Sequence, residues 1–288
     1  MKKSSIKIAV LALILMGLVG GCSLFFGTSD LRSETAKAGQ DASKAAQLLQ
    51  EMARAHGVEN WDSIDSYQVR FEDEFLTFVG KSGSPFKQDK TEMLLSYIPG
   101  SFDGQLKFIT GKRTNQTWGI QSWQTYTLNE SGEAVFKNNK DIMFWIPTYQ
   151  YFVEFPKRIL EADVWVYAGE REIEGISCEG VLASWKSAEP QKDIDQYQIW
   201  IDKESKRIVK MEYTIRELYG FLSGAAYFKD YKEYAGILLP SRLPVESNLQ
   251  KEGFIHEMRI LDFKTDQINP KSLRPNQALN DMGTAKTE

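Results

Sequence analysis

The chain has 288 residues, with 35 Lys and Arg against 39 Asp and Glu, and it is 42% hydrophobic and 12% aromatic. That composition excludes extensive disorder and leaves enough chain for one large core or two small ones. Lys2, Lys3 and Lys7 precede an apolar run, and without that segment the balance is 32 basic against 39 acidic. A surface of that sign repels phosphate, so nucleic acid is excluded as an expected partner.

Residues Met1 to Lys7 form a basic start, and Ile8 to Val19 is a twelve-residue apolar stretch. Such a stretch is too short for the ~20 residues that cross a bilayer as a helix, so residues 1–21 read as a secretory signal. The stretch ends in Leu18-Val19-Gly20-Gly21-Cys22. Two small residues before a cysteine resemble a bacterial lipobox, which implies that Cys22 is acylated and is the first mature residue. Two or more acyl chains, at about 0.8 kcal/mol per buried CH₂, hold a protein firmly in a membrane. Ser23, in place of an aspartate, implies by the same resemblance an outer-membrane location facing the periplasm. Residues 22–40, rich in Gly, Ser, Thr, Lys and Ala, read as a flexible tether.

Asp41 is an N-cap for an amphipathic helix in which Ala45, Leu48, Leu49, Met52 and Ala55 recur at steps of three and four, with Gly57 just past its end. The period then changes to two. Tyr67, Val69 and Phe71 alternate with polar residues, and further strands are expected over 105–110, 116–128, 164–168, 172–184, 197–201, 207–216, 227–234, 237–247 and 253–264. Hairpins are expected at Asp202 to Lys206 and at Ala235-Gly236, and Pro240 and Pro244 mark an edge or bulged strand. The crowded aromatic segment from Asp141 to Leu160 breaks the alternation and reads as a short helix and loop. The fold class is mainly β: about ten antiparallel strands in one large curved sheet, with an N-terminal helix and a helical plug. Residues 41–275 form one domain, followed by a polar tail, 276–288.

Four segments carry a family resemblance: His56-Gly57-Val58-Glu59-Asn60-Trp61-Asp62-Ser63-Ile64-Asp65-Ser66, Gly175-Ile176-Ser177-Cys178-Glu179-Gly180-Val181, Tyr197 to Met211, and Tyr231 to Pro240. Together, and in this order, they resemble the LolA/LolB-like half-barrels of outer-membrane lipoprotein sorting. The resemblance implies a half-open barrel that holds an apolar group on its concave face. Members include soluble lipoprotein carriers, lipid-binding lipoproteins and envelope-stress sensors; a lipidated chain is closer to an acceptor or accessory lipoprotein.

Catalytic patterns fail one by one. Gly80-Lys81-Ser82 has Phe75 where a phosphate loop needs its first glycine, and His256-Glu257 is followed by Ile260 where a zinc-protease helix needs histidine. His56 and His256 are the only imidazoles and read as surface or helix-end residues; no cofactor or metal is implied, and no enzyme activity. Cys178 alternates with polar residues and reads as a packing cysteine. The acidic residues Glu72, Asp73, Glu74, Glu170, Glu172 and Glu174 read as a solvated face, with paired glycosidase-type carboxylates as the competing reading.

The aromatic stock, 7 Trp, 12 Tyr and 16 Phe, is the informative feature. Phe144, Trp145, Phe152 and Phe155 of the plug would close a cavity walled by Val69, Phe71, Ile199, Met211, Tyr213 and Ile215. Parity turns Met211 and Tyr213 inward and Lys210 and Glu212 outward. A filled core of the same residues is the competing reading. A hollow wall points to a hydrophobic ligand such as an acyl chain or a lipoprotein; a filled one points to a structural or sensing module for an envelope protein or glycan.

Overall fold

The computed structural model describes residues 27–39, 41–86 and 88–283. The signal segment and Cys22 lie outside them. One antiparallel sheet dominates. Among the described residues its fourteen strands, with β1 at Tyr67–Phe75 and β3 at Gly104–Phe108, run β6-β5-β4-β3-β2-β1-β14-β13-β11-β10-β9-β8-β7, with β12 paired to β13, and the sheet does not close. Among the described residues four more strands are present than the ten expected: one single run is in fact a hairpin, one strand precedes the run 227–234, and two strands are new. The run 116–128 is split into β4 (Thr117–Gln121) and β5 (Gln124–Leu128) by Ser122 and Trp123, both at positive φ. The expected runs 164–168 and 172–184 are two strands, but the turn lies at Glu174 and Gly175, also at positive φ, so β7 (Val164–Ile173) runs on past its expected end and β8 (Ile176–Ser184) starts later. These are tight two-residue turns whose twist matches that of the flanking strands. The run 227–234 is β12 (Lys229–Tyr234), preceded by β11 (Ser223–Tyr227). Strands β2 (Lys90–Tyr97) and β6 (Ala134–Phe136) were not anticipated.

The expected hairpins are present. β9 (Gln196–Asp202) turns into β10 (Ile208–Thr214), and β12 turns through Ala235-Gly236 into β13 (Ile237–Ser247). β13 is internal rather than an edge, yet its prolines obey the same physics. Pro240 pairs with Tyr231 of β12 where β14 (His256–Thr265) does not reach, and Pro244 pairs with Glu257 of β14 between the stretches paired to β12 and β11. Each lies where one flank of the strand has no ladder partner.

The expected helix is α2 (Ala42–Ala55), with the Asp41 carboxylate accepting from Lys44 N and the buried stripe Ala45, Leu48, Leu49 and Met52 laid over β7 and β8. The tether expectation is corrected at its C-terminal half. Residues 34–38 form a short helix, α1, capped by Ser33, and Ala36 packs on Val166, Ala168 and Leu182. Val181 and Ala183 belong to the main core, so the opposite parity of Leu182 places α1 on the outer face of the sheet. Ser33 Oγ also donates to Ala168 O at 2.7 Å, and Leu31 N to Gln196 Oε1 at 3.1 Å. A run of small polar residues carries no period, and its partners come from the outer face of β7 and its neighbouring strands. The start of the polar tail is likewise tied down, with Gln121 and Asn276 exchanging two hydrogen bonds at 2.8 and 3.0 Å.

The aromatic segment is α4 (Lys140–Val153) and α5 (Phe155–Arg158). It leaves one end of the sheet at β6 and returns to the other at β7, so the plug spans the open side. α4 lies over β3, β4 and β5, while α2 covers β7 and β8. Between them, β13 is met by the 3-10 turn Val58–Ser63, while neither α2 nor the plug has its main contacts on β10, β11 or β14.

Candidate functional site: a cavity beneath the plug

Asn139 caps the plug helix by accepting from Asp141 N and Ile142 N. Pro147 inside the helix supplies no N–H, and Thr148 Oγ1 donates to Phe144 O at 2.7 Å. Sheet hydroxyls and carboxylates hold the helix. Tyr97 Oη donates to Ile146 O at 2.9 Å, and Tyr149 Oη donates to Asp73 Oδ2 at 2.8 Å. At its C-terminal end, Glu154 accepts from Tyr67 Oη at 2.7 Å and from Gln150 Nε2 at 2.8 Å, and lies 2.8 Å from Arg158 Nε. All four side chains are buried. Burial pushes the Glu154 carboxyl above its ordinary range, while Arg158 pulls it back.

A cavity of about 790 Å³ remains between the plug, β10, β11 and β14. Six of the ten expected wall residues line it: Phe144, Trp145 and Phe152 from α4, and Met211, Tyr213 and Ile215 from β10 and the residue after it. Phe152 meets Tyr213 edge-on with ring centroids 5.5 Å apart. Val69, Phe71, Phe155 and Ile199 do not line it and are fully buried core residues, which corrects their expected placement. The reason is the asymmetry of the cover. The plug presses onto the β1 side, where Phe71 lies 4.9 Å from Tyr149, and Phe155 fills the space against Tyr197 at 5.8 Å. The void therefore opens over β10, β11 and β14 and reaches Phe75 and Tyr197 on either side. Parity in β10 is as expected: Met211 and Tyr213 face the cavity, while Lys210 Nζ lies 3.3 Å from Glu212 and 3.6 Å from Glu246 in a separate cluster.

Several wall residues were not anticipated. The lip is α3 (Phe78–Gly83) on one side and the 215–222 loop on the other, whose Leu218-Tyr219-Gly220-Phe221-Leu222 run is an apolar cluster in a loop. That run was the available signal. Met258 shares the inward parity of Ile260 on β14, and both are buried.

Two expectations for single residues are corrected. His256 is buried on β14 and lines the cavity; its Nδ1 lies 2.8 Å from Asp73 Oδ1, and its ring stacks on Phe75 at 5.1 Å. Asp73 is fully buried rather than solvated, so its two oxygens cross-link β14 to the plug through His256 and Tyr149. His56 is at a helix end, as expected, but is buried there. Glu72 and Glu74 do face outward, in an ion network with Lys90 and Arg259. Cys178 packs with Ile173, Trp200 and Val209, and burial pushes its thiol up to about 11, the state of an inert packing cysteine.

No family model matches the chain, and no curated protein does. Solved structures do. A domain from Vibrio parahaemolyticus, provisionally assigned as an outer membrane lipoprotein-sorting protein, superposes with a TM-score of 0.52 at 15% identity over 81% of this chain and 97% of its own. A LolA superfamily protein from Nitrosomonas europaea gives 0.48 at 11% identity over 79% and 96%, and a DUF1329 family protein from Desulfovibrio piger gives 0.47 at 10% over 80% and 95%. The Vibrio domain shows the fold: a curved half-open barrel, as the sequence resemblance implied. Among the described residues no helix is long and apolar enough to cross a membrane.

Proposed function

We propose that this protein is a lipoprotein of the bacterial envelope, anchored through acylated Cys22 on the periplasmic side of the outer membrane. It binds the acyl chain of a lipid or lipoprotein beneath its plug without chemistry. The observation that carries this reading is the cavity. At about 790 Å³ it falls within the ~300–1,000 Å³ usual for ligand sites, and Phe144, Trp145, Phe152, Met211 and Ile215 give it an apolar wall. The Vibrio domain of the same fold is assigned to lipoprotein sorting, which supports an acylated cargo.

Mass spectrometry of an organic extract of the purified protein tests the ligand, and uptake of a fluorescent fatty acid tests the site. Met211→Gln places an amide in the wall. An accessible cavity hydrates that amide, so binding should weaken severalfold while the fold survives; a packed core would lose about 1–3 kcal/mol for the unsatisfied group. Neither co-purified lipid nor uptake would favour instead a module that recognises an envelope protein or glycan. Detergent-phase partition lost in Cys22→Ala tests the anchor separately.

A further inference from the structure

Four of the large apolar side chains that stand exposed on this protein, Phe78 at 86%, Leu249 at 54%, Leu218 at 46% and Tyr219 at 43%, all line the same cavity and ring its mouth. They come from two separate lips, α3 and the 215–222 loop, and from the residues after β13. Apolar side chains gathered on one rim, rather than scattered singly, mark a surface that meets an apolar partner.

The path of the chain identifies that partner. Ser29 is bonded to the mouth loop. Its N and Oγ donate to Gly220 O at 3.0 and 3.1 Å, and Arg216 Nη1 donates to Ser29 Oγ at 3.1 Å. Tyr219 and Phe221, which flank Gly220, both line the cavity. Seven residues lead from Cys22 to Ser29, and they reach at most about 25 Å. A domain of this length has a radius of gyration of about 18 Å and is roughly 45 Å across. An anchor at Cys22 can therefore bring only the Ser29 end of the body to the bilayer, and that end carries the apolar rim.

From this geometry we propose that the cavity mouth docks on the membrane that anchors the protein. Phe78, Leu218, Tyr219 and Leu249 insert at the boundary of headgroups and acyl chains, so that cargo passes between bilayer and cavity without crossing water. The proposal rests on the acylated Cys22 of the preceding reading. Rim residues entering a lipid surface in this way act as the apolar face of an interfacial anchor does.

The test is depth-dependent quenching in the full, processed protein, reconstituted into phosphatidylethanolamine and phosphatidylglycerol vesicles. An environment-sensitive fluorophore is placed on Phe78→Cys or Leu249→Cys, and on Val135→Cys or Ile176→Cys, exposed positions that do not line the cavity. Cys178 is buried, so the introduced thiol takes the label. All four sites are exposed, and unchanged melting curves confirm that the variants fold. With lipids carrying a nitroxide near the headgroup, the labels at 78 and 249 should be quenched at least threefold more than those at 135 and 176. Equal quenching at the four sites overturns the docking and leaves the anchor intact. Labelling of the unsubstituted protein reveals a free Cys22 thiol, which overturns the anchor and with it the docking.

Discussion

His56 Nδ1 donates to Leu238 O at 3.1 Å and its Nε2 accepts from Ile208 N at 3.2 Å, an arrangement that only the neutral ring can satisfy. Desolvation opposes the charged form and pushes the imidazole down to about 4, from an ordinary 6.5. Above about pH 6.5 the ring is neutral both folded and unfolded, and the shift has no effect. Below that the unfolded chain takes up a proton that the folded protein refuses, so stability falls by about 1.4 kcal/mol per pH unit until pH approaches 4. Between pH 7 and pH 4.5 this single residue should cost about 2–3 kcal/mol. Urea unfolding of wild type and His56→Gln at both values checks it. The variant should be weaker at pH 7, because it loses two backbone partners, but should show a shallower decline; parallel declines would mean that His56 is not held neutral. The sequence placed this residue at a helix end. Its burial comes from β13 and the start of β10, which are remote in the chain.

Helix α3 forms one lip of the cavity and leans on β14 through a contact with no room to spare. A Cβ added to Gly80 would lie 2.1 Å from the Ile255 carbonyl oxygen. Leu76 N donates to the same oxygen at 2.9 Å, so the carbonyl cannot swing aside without losing that bond. Gly80→Ala should therefore push the lip outward at a cost of about 1–3 kcal/mol, as overpacking does elsewhere. Because α3 is a peripheral element, the loss should be local. Amide exchange should quicken over residues 78–83 while β1 (Tyr67–Phe75) keeps its protection; uniform acceleration would show that the lip is part of the cooperative core instead. Elements of this kind are poorly legible in advance. Phe78-Val79-Gly80-Lys81-Ser82-Gly83 has neither period nor length enough to declare a helix, and Ser122-Trp123 carries no turn signal although it divides two strands.

At the scale of the whole molecule the question is how the sheet is covered. α2 and the plug have their main contacts at opposite parts of the sheet, and the void between them is a property of their separation rather than of any one residue. Thr148 lies on the plug and lines the void. Thr148→Trp should occupy part of it, lowering fatty-acid affinity about tenfold or more. Melting temperature should hold or rise, because new apolar contacts replace empty space. A large drop in melting temperature with uptake unchanged would place the ligand elsewhere.

Alternation by two, a single amphipathic helix and one aromatic break were enough to establish a large antiparallel sheet with a plug, since each is a local consequence of which face of the backbone is buried. The same parity turned Met211 and Tyr213 inward. It could not distinguish a wall from a packed core, because Phe71 and Met211 have the same pattern along their strands and differ only in what lies opposite: the Tyr149 ring above one, open volume above the other. Asp73 shares the inward parity of Phe71 and Phe75, yet a carboxylate reads as solvated by its type until a histidine from a strand 183 residues away and a tyrosine from the plug are brought to its two oxygens. Periodicity is inherited from nearest neighbours along the chain, whereas a cavity is a gap between elements, and only their packing creates it.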